Sequence, residues 1–364
     1  MQDLTSYLLY IFMLCISYII ANLAETKNKK KYLLYIILLW TFIAGVRAVD
    51  VGLDTKQYYK IFNLIATNDS QIWWYGIEAS FVHIVEALLF VWNNTTVPFV
   101  FMAALTYALV LFRFWEFRNI GHFHWMVFCF FIMHYFASLN ISRQFCAVAI
   151  IFWGTRYLCK RKYGVYLVTV LIGCLFHKSA VLGLLFYMFE FFYWKTLIIK
   201  QKLFIIAGLL ALPICGCYIL SNLSSYYKYL QLIEVDVGVV LPIKLLLFVV
   251  SQSGITSTVL RYYPNGDTIQ QDEIRDLSIQ IRKVRIYYLS GILMSFLGYF
   301  YSFVDRGALV LYIYEAVYFG IILKVRNDRS IFKLIVFSLF ILIFIIGLIG
   351  DGHSVIPYRF IWQD

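Results

Sequence analysis

Twelve apolar runs separated by short polar loops set the limits on what this chain can fold into. They fall at about 4–22, 32–47, 97–112, 122–139, 140–158, 163–176, 179–194, 203–221, 238–253, 284–304, 307–324 and 332–350. Wound as helices at ~1.5 Å per residue, runs of this length cross all or most of a hydrocarbon layer ~30 Å thick. Composition agrees, because 62% of the 364 residues are hydrophobic and only 14% are charged, with a mean hydropathy of +0.78. No soluble core can bury that much apolar surface. A lipid-embedded backbone must satisfy its own polar groups, and these runs are helical in length, so a β-barrel is excluded. The expected fold is an all-α polytopic integral membrane protein forming a single domain over residues 1–364. It would have about twelve transmembrane helices and one further helix on the outer side.

Charge sets the orientation. Of the 31 basic residues, 22 fall in clusters after alternate runs: Lys27 to Lys31, Arg113 and Arg118, Arg156 to Lys162, Lys195 to Lys202, Arg261 to Arg285, and Lys324 to Lys333. Such loops stay in the cytoplasm. The net charge of +11 is therefore a topology signal spread over loops, with no nucleic-acid partner implied. The segment 76–92 is apolar, yet counting it as a span would throw the later basic loops outside. It also carries Glu78, His83 and Glu86, which lipid tolerates poorly. It reads as a re-entrant or cavity-lining helix within an outer-face segment of about 47–96. The longest polar stretch, about 254–283, reads as a cytoplasmic loop with a turn at Pro264–Asp267, a short surface helix and a solvated face. The seven cysteines lie mostly inside apolar runs and read as small core residues. The first run lacks a basic leader and a cleavage site, so it reads as an uncleaved helix.

Five polar constellations fall on the side that this topology places outside. Arg47 to Tyr59 contains Arg47, Asp50, Gly52, Asp54, Thr55 and Tyr58; by spacing, Asp54-Thr55 is either a helix cap or part of a site. Asn140 to Phe145 brings Arg143 and Gln144 into an apolar run. Phe176 to Ala180 puts His177, Lys178 and Ser179 at the mouth of a helix hairpin. There Ser179 can cap the descending helix, and His177 has the pKa suited to proton transfer near neutrality. Val304 to Tyr314 carries Asp305, Arg306 and Tyr312, with Glu315 deeper. The tail from Gly350 carries His353, Tyr358 and Arg359, and it reads as a plug or lid. Arginine at membrane depth costs ~2.5 kcal/mol or more, so it faces a cavity and a partner. Several arginines at one mouth, with tyrosines, suit a ligand that is part phosphate and part carbohydrate. No Walker loop, HExxH or transition-metal spacing occurs. No cofactor is expected, and nothing in the sequence requires a metal.

In order along the chain, these segments read RxxxxGxDTxxYY, SRQxxAxAI, FHKSAxxG and DRxxxxxY. That order resembles the EpsG-like group of Wzy-type polysaccharide polymerases, from Arg47 to about Tyr312. VGLD departs from the pattern, which has Thr before the Asp. The resemblance implies polymerisation of undecaprenyl-diphosphate-linked oligosaccharide repeat units into O-antigen, capsular or exopolysaccharide. The reaction would be a glycosyl transfer at the outer face of the bacterial cytoplasmic membrane, with a chain-length regulator as partner. It implies Arg143 and Arg306 on the diphosphate, Arg47, Lys178 and Arg359 in support, and His177 or Asp54 as general base. Asp50, Tyr58, Gln144 and Tyr312 would line the substrate site. Two other functions use the same lipid carrier. A flippase would show paired repeats with broken helices, and an O-antigen ligase a long outer loop; neither is evident in the sequence.

Overall fold

The first apolar run folds into α1 (Gln2–Lys27), and a left-handed Asn28 ends it before α2 (Lys31–Gly45) returns. The computed structural model describes residues 2–193, 240–252, 268–298, 302–325 and 330–363. Side chains are described for 4–190, 242–250, 279–295, 307–325 and 330–363. Among the described residues there are helices and no β-strand; one isolated bridge pairs Arg47 with Phe360. After α2 come α3 (Thr55–Ala66), α4 (Ala79–Val91) and α5 (Thr96–Glu116). Next are α6 (Phe123–Phe130), a π-helical stretch (Phe131–Tyr135) and α7 (Phe136–Asn140). A break at Ile141 precedes α8 (Ser142–Cys159), followed by α9 (Tyr163–Phe176), a 3₁₀ segment (Lys178–Leu184) and α10 (Leu185–Tyr193). The remaining helices are α11 (Val240–Gln252), α12 (Thr268–Gly298), α13 (Ser302–Tyr312), α14 (Tyr314–Val325) and α15 (Ser330–Gly350).

Among the described residues, five helices are long and apolar enough to cross a membrane: Leu4–Lys27, Thr96–Asn119, Phe123–Asn140, Gly307–Val325 and Ser330–Gly350. Lys31–Gly45, Ala79–Val91 and Tyr163–Phe176 are shorter apolar helices. The chain is thus a helical, multi-pass membrane protein. These five spans are counted among the described residues alone and leave the number of about twelve unconfirmed; the expected run 203–221 lies outside the described residues. Outward faces carry the apolar side chains lipid requires, such as Leu8 and Phe12 on α1 and Ile331 and Leu334 on α15. The interior is aromatic. Trp40 stacks on Phe130 at 5.6 Å, and its Nε1 donates to Ser17 Oγ at 2.8 Å, so even the polar tip is satisfied.

One sequence expectation is extended and one needs correction. The short surface helix expected within the stretch of about 254–283 is the start of a longer one, since α12 runs unbroken from Thr268 to Gly298. Its first half is polar but rich in Gln, Arg and Ile, which tolerate helix well. Lys283, however, does not belong to the solvated face expected of this stretch. It is buried, and its Nζ donates to both Glu190 oxygens at 2.6 and 2.8 Å, with Tyr287 Oη donating to the same carboxylate at 3.2 Å. The turn at Pro264–Asp267 lies outside the described residues, as do Cys215 and Cys217. Cys15, Cys129, Cys146, Cys159 and Cys174 are free thiols.

Polar contacts divide the molecule into two ends. At one, Arg118 donates to Asn28 at 3.3 Å, Lys324 donates to the Arg118 and Asn119 carbonyls at 3.0 Å, and Arg113 and Arg156 share Glu116. These residues belong to the basic clusters. The other end holds the turns after α2, α7 and α9 and the C-terminal tail.

Candidate active site

The tail is anchored along the turn that follows α2. Ala48 N donates to Arg359 O at 2.9 Å, Gly52 N to Ser354 O at 2.7 Å, and Ile361 N to Val46 O at 2.9 Å. Tyr358 Oη reaches Ile43 O at 2.8 Å, and Arg359 forms an ion pair with Asp50. Gly52 has φ +99°, and a methyl there would sit 2.6 Å from Asn140 Oδ1, so the turn depends on glycine. Asn140 Nδ2 bonds the His353 carbonyl at 3.1 Å, joining the end of α7 to the tail. Burial, followed by the charge of Lys244, holds the His353 imidazole below its ordinary pKa.

Arg47 is the surprise of this strap. It is 2% exposed, and its guanidinium is taken up by the protein: Nε donates to Thr55 Oγ1 at 3.1 Å, Nη2 to Leu139 O at 2.7 Å and Nη1 to Ala44 O. Phe99 packs against it, 4.7 Å from Cζ to the ring centre. Arg47 therefore ties the end of α2 to α3 and to the end of α7, and its donors point at two carbonyls and the Thr55 hydroxyl.

A second cluster draws on four segments distant in sequence. Glu78, at the N-cap of α4, receives Arg143 Nη1 on Oε2 at 2.8 Å and the Lys178 backbone N–H on Oε1 at 2.9 Å. Both side chains of the ion pair are largely buried. Burial by itself would raise the Glu78 carboxyl, but Arg143 and the Lys178 N–H outweigh it and hold it below the usual carboxylate range. Arg143 Cζ lies 5.0 Å from the Phe81 ring centre. Tyr58, on the buried face of α3, adjoins the same guanidinium; burial raises its hydroxyl and Arg143 pulls it partly back. Ser80 Oγ on α4 donates to Leu175 O at 2.9 Å, seating α4 on the end of α9.

The hairpin mouth after α9 reverses one expectation. His177, not Ser179, caps the descending segment: Ser179 N–H donates to His177 Nδ1 at 3.2 Å, with Ser179 Oγ 2.8 Å from the same nitrogen. A nitrogen that accepts a backbone N–H carries no proton, so neutral His177 holds its proton on Nε2 and presents a donor there. Asp54 occupies the N-cap position of α3, yet its side chain makes no capping hydrogen bond. It is half-buried, one turn before Tyr58, whose N–H donates to Asp54 O at 3.0 Å.

The structure thus gathers Tyr58, Arg143, His177 and Lys178 around Glu78, and Asp50 with Arg359 along the neighbouring strap. Gln144 turns into the core at 2% exposure, and Tyr312 lies in the core at 3%, its ring 4.2 Å below Lys244 Nζ. The Arg306 side chain lies outside the described residues; its neighbour Gly307 faces Leu182 of the 3₁₀ segment, a methyl at Gly307 coming 2.6 Å from Leu182 Cδ1. Sequence reasoning missed Glu78 as a site residue, registering it only as a charge unsuited to lipid. Its position immediately before the regular helix α4 was the available signal.

No curated protein and no solved structure matches this chain. A family model does, over residues 30–360, a stretch that takes in the strap, Glu78, both ends of the Arg143 cluster and the tail. The chain belongs to the EpsG family.

Proposed function

We propose that the chain polymerises lipid-linked oligosaccharide repeat units into an exopolysaccharide-type glycan at the outer face of the cytoplasmic membrane. The convergence of Tyr58, Glu78, Arg143, His177 and Lys178 at the end away from the basic loops carries this reading. Family membership supports it. The acceptor hydroxyl oxygen forms a bond to the anomeric carbon of the donor glycan. The bond from that carbon to the phosphate oxygen breaks, and undecaprenyl diphosphate leaves with the electron pair. Arg143, with Arg306 and Lys178, neutralises charge growing on the diphosphate. Glu78 fixes the Arg143 fork rather than acting as a base, since a carboxylate held below its usual range is a weak one. Asp54 takes the hydroxyl proton. His177, protonated on Nε2, donates to a substrate oxygen. Tyr58 and Asp50 contact sugar hydroxyls, and the ion pair of Arg359 with Asp50 borders the mouth.

Deletion of the gene tests the assignment. Surface polysaccharide should shrink to single repeat units while lipid-linked units accumulate; complete loss of surface units would assign a flippase instead. His177 allows a finer check. His177→Asn keeps an acceptor for Ser179 N–H but removes the Nε2 donor, whereas His177→Ala removes both. Both variants should lower turnover of the purified enzyme by on the order of 10²-fold, the scale of one lost catalytic donor. Full activity in His177→Asn would reduce the residue to a helix cap.

A further inference from the structure

We propose that Glu25, His122 and His124 form a binding site for a divalent first-row transition cation, with Zn²⁺ the best match. The site lies at the basic end of the molecule, apart from the Arg143 cluster, and is independent of the polymerase reading. Glu25 comes from the last turn of α1, and the two histidines flank the start of α6. His122 Nδ1 is 2.7 Å from Glu25 Oε1 and His124 Nδ1 is 2.8 Å from Oε2, so each carboxylate oxygen faces a different imidazole. One ligand atom from each residue falls within 4.8 Å of the other two. Two imidazoles and a carboxylate are a common donor set for catalytic Zn²⁺, with metal–ligand bonds of ~2.0–2.2 Å. Tetrahedral bonds of that length put neighbouring ligand atoms ~3.3 Å apart, so each Nδ1 must part from its carboxylate oxygen by about half an ångström, while ligand atoms that start up to 4.8 Å from one another close on the ion. Borderline nitrogen donors favour zinc, cobalt or nickel over calcium or magnesium.

The support around these ligands is stiff. His122 N donates to Gly320 O at 2.9 Å, and a methyl on Gly121 would lie 2.8 Å from Ile321 N. The His-Phe-His segment therefore rests directly on the backbone of α14. Tyr18 meets the His124 ring edge-on, with centres 5.1 Å apart. The three side chains are 12–22% exposed, so an ion can reach them from solvent. Lys324, the nearby cation, directs its ammonium to the carbonyls of Arg118 and Asn119. A bound ion would pin α1 to α6 and α14 in place of two shared protons.

Full-length protein purified in detergent, stripped with EDTA and titrated with ZnCl₂, should bind one ion per chain and melt at a higher temperature. Glu25→Gln and His124→Ala should each weaken binding by at least tenfold. Zinc X-ray absorption on the wild-type protein should show only nitrogen and oxygen at ~2.0–2.1 Å. The proposal is overturned by sub-stoichiometric binding, by affinity unchanged in both variants, or by a sulfur shell at ~2.3 Å, which would assign the ion to cysteines. Should the variants fail to fold, the wild-type absorption spectrum decides.

Discussion

Arg143→Ala is expected to abolish polymer: cells should carry single repeat units, and lipid-linked units should accumulate behind the block. On purified enzyme the loss in kcat/KM should be on the order of 10²–10³-fold, the cost of removing one preorganised donor from developing charge. Two observations favour so large an effect. Arg143 is largely buried, and its fork is oriented by Glu78 on one side and Phe81 below. One Nη1 donor is spent on Glu78, and a guanidinium has five N–H donors in all, so the pair can serve an incoming diphosphate without breaking. Lysine offers a point charge without the fork, so Arg143→Lys should recover little. Glu78→Gln keeps an acceptor but loses the charge that orients the fork. It should lower kcat/KM less than Arg143→Ala does, through poorer positioning of Arg143. Chain-length ladders resolved on gels read both variants; a wild-type ladder from Arg143→Ala would remove the residue from the mechanism.

The gathering of the polar segments at one end was legible in the sequence, because helix length and basic loops together fix which turns share a side. Arg47, Arg143, His177 and the tail all follow that rule. The partners were not legible. Glu78 meets Arg143 across 65 positions, and Glu25 meets His124 across 99, with no helical spacing to announce either pair. Lys283 was misread for a related reason: in a polar run it looks solvated, and only the packing of α10 against α12 reveals Glu190 beneath it. The roles of Arg47 and His177 also escaped. Both carry groups suited to chemistry, and which atoms their hydrogen bonds consume is decided by tertiary neighbours.

Arg47 gives the second large effect, and it is one of stability. Arg47→Met should cut protein abundance and lower the melting midpoint by roughly 5 °C, consistent with about 2–3 kcal/mol in a chain of this size. The side chain serves the Ala44 and Leu139 carbonyls and the Thr55 hydroxyl in a nearly solvent-free setting. Removing the donors leaves these acceptors buried without their partners, at about 1–3 kcal/mol each. Relief of a desolvated charge offsets part of that loss, since methionine fills the stem's volume and needs no partner. Arg47→Lys should fare little better, because one ammonium cannot span Thr55 and Leu139 in the geometry of the fork. The molecules that do fold should retain most of their specific activity, since the donors of Arg47 face the protein's own oxygens. Melting curves and polymerisation assays on the same preparation separate the two roles. A variant with the wild-type midpoint and no polymer would return Arg47 to the substrate, as the sequence alone implied.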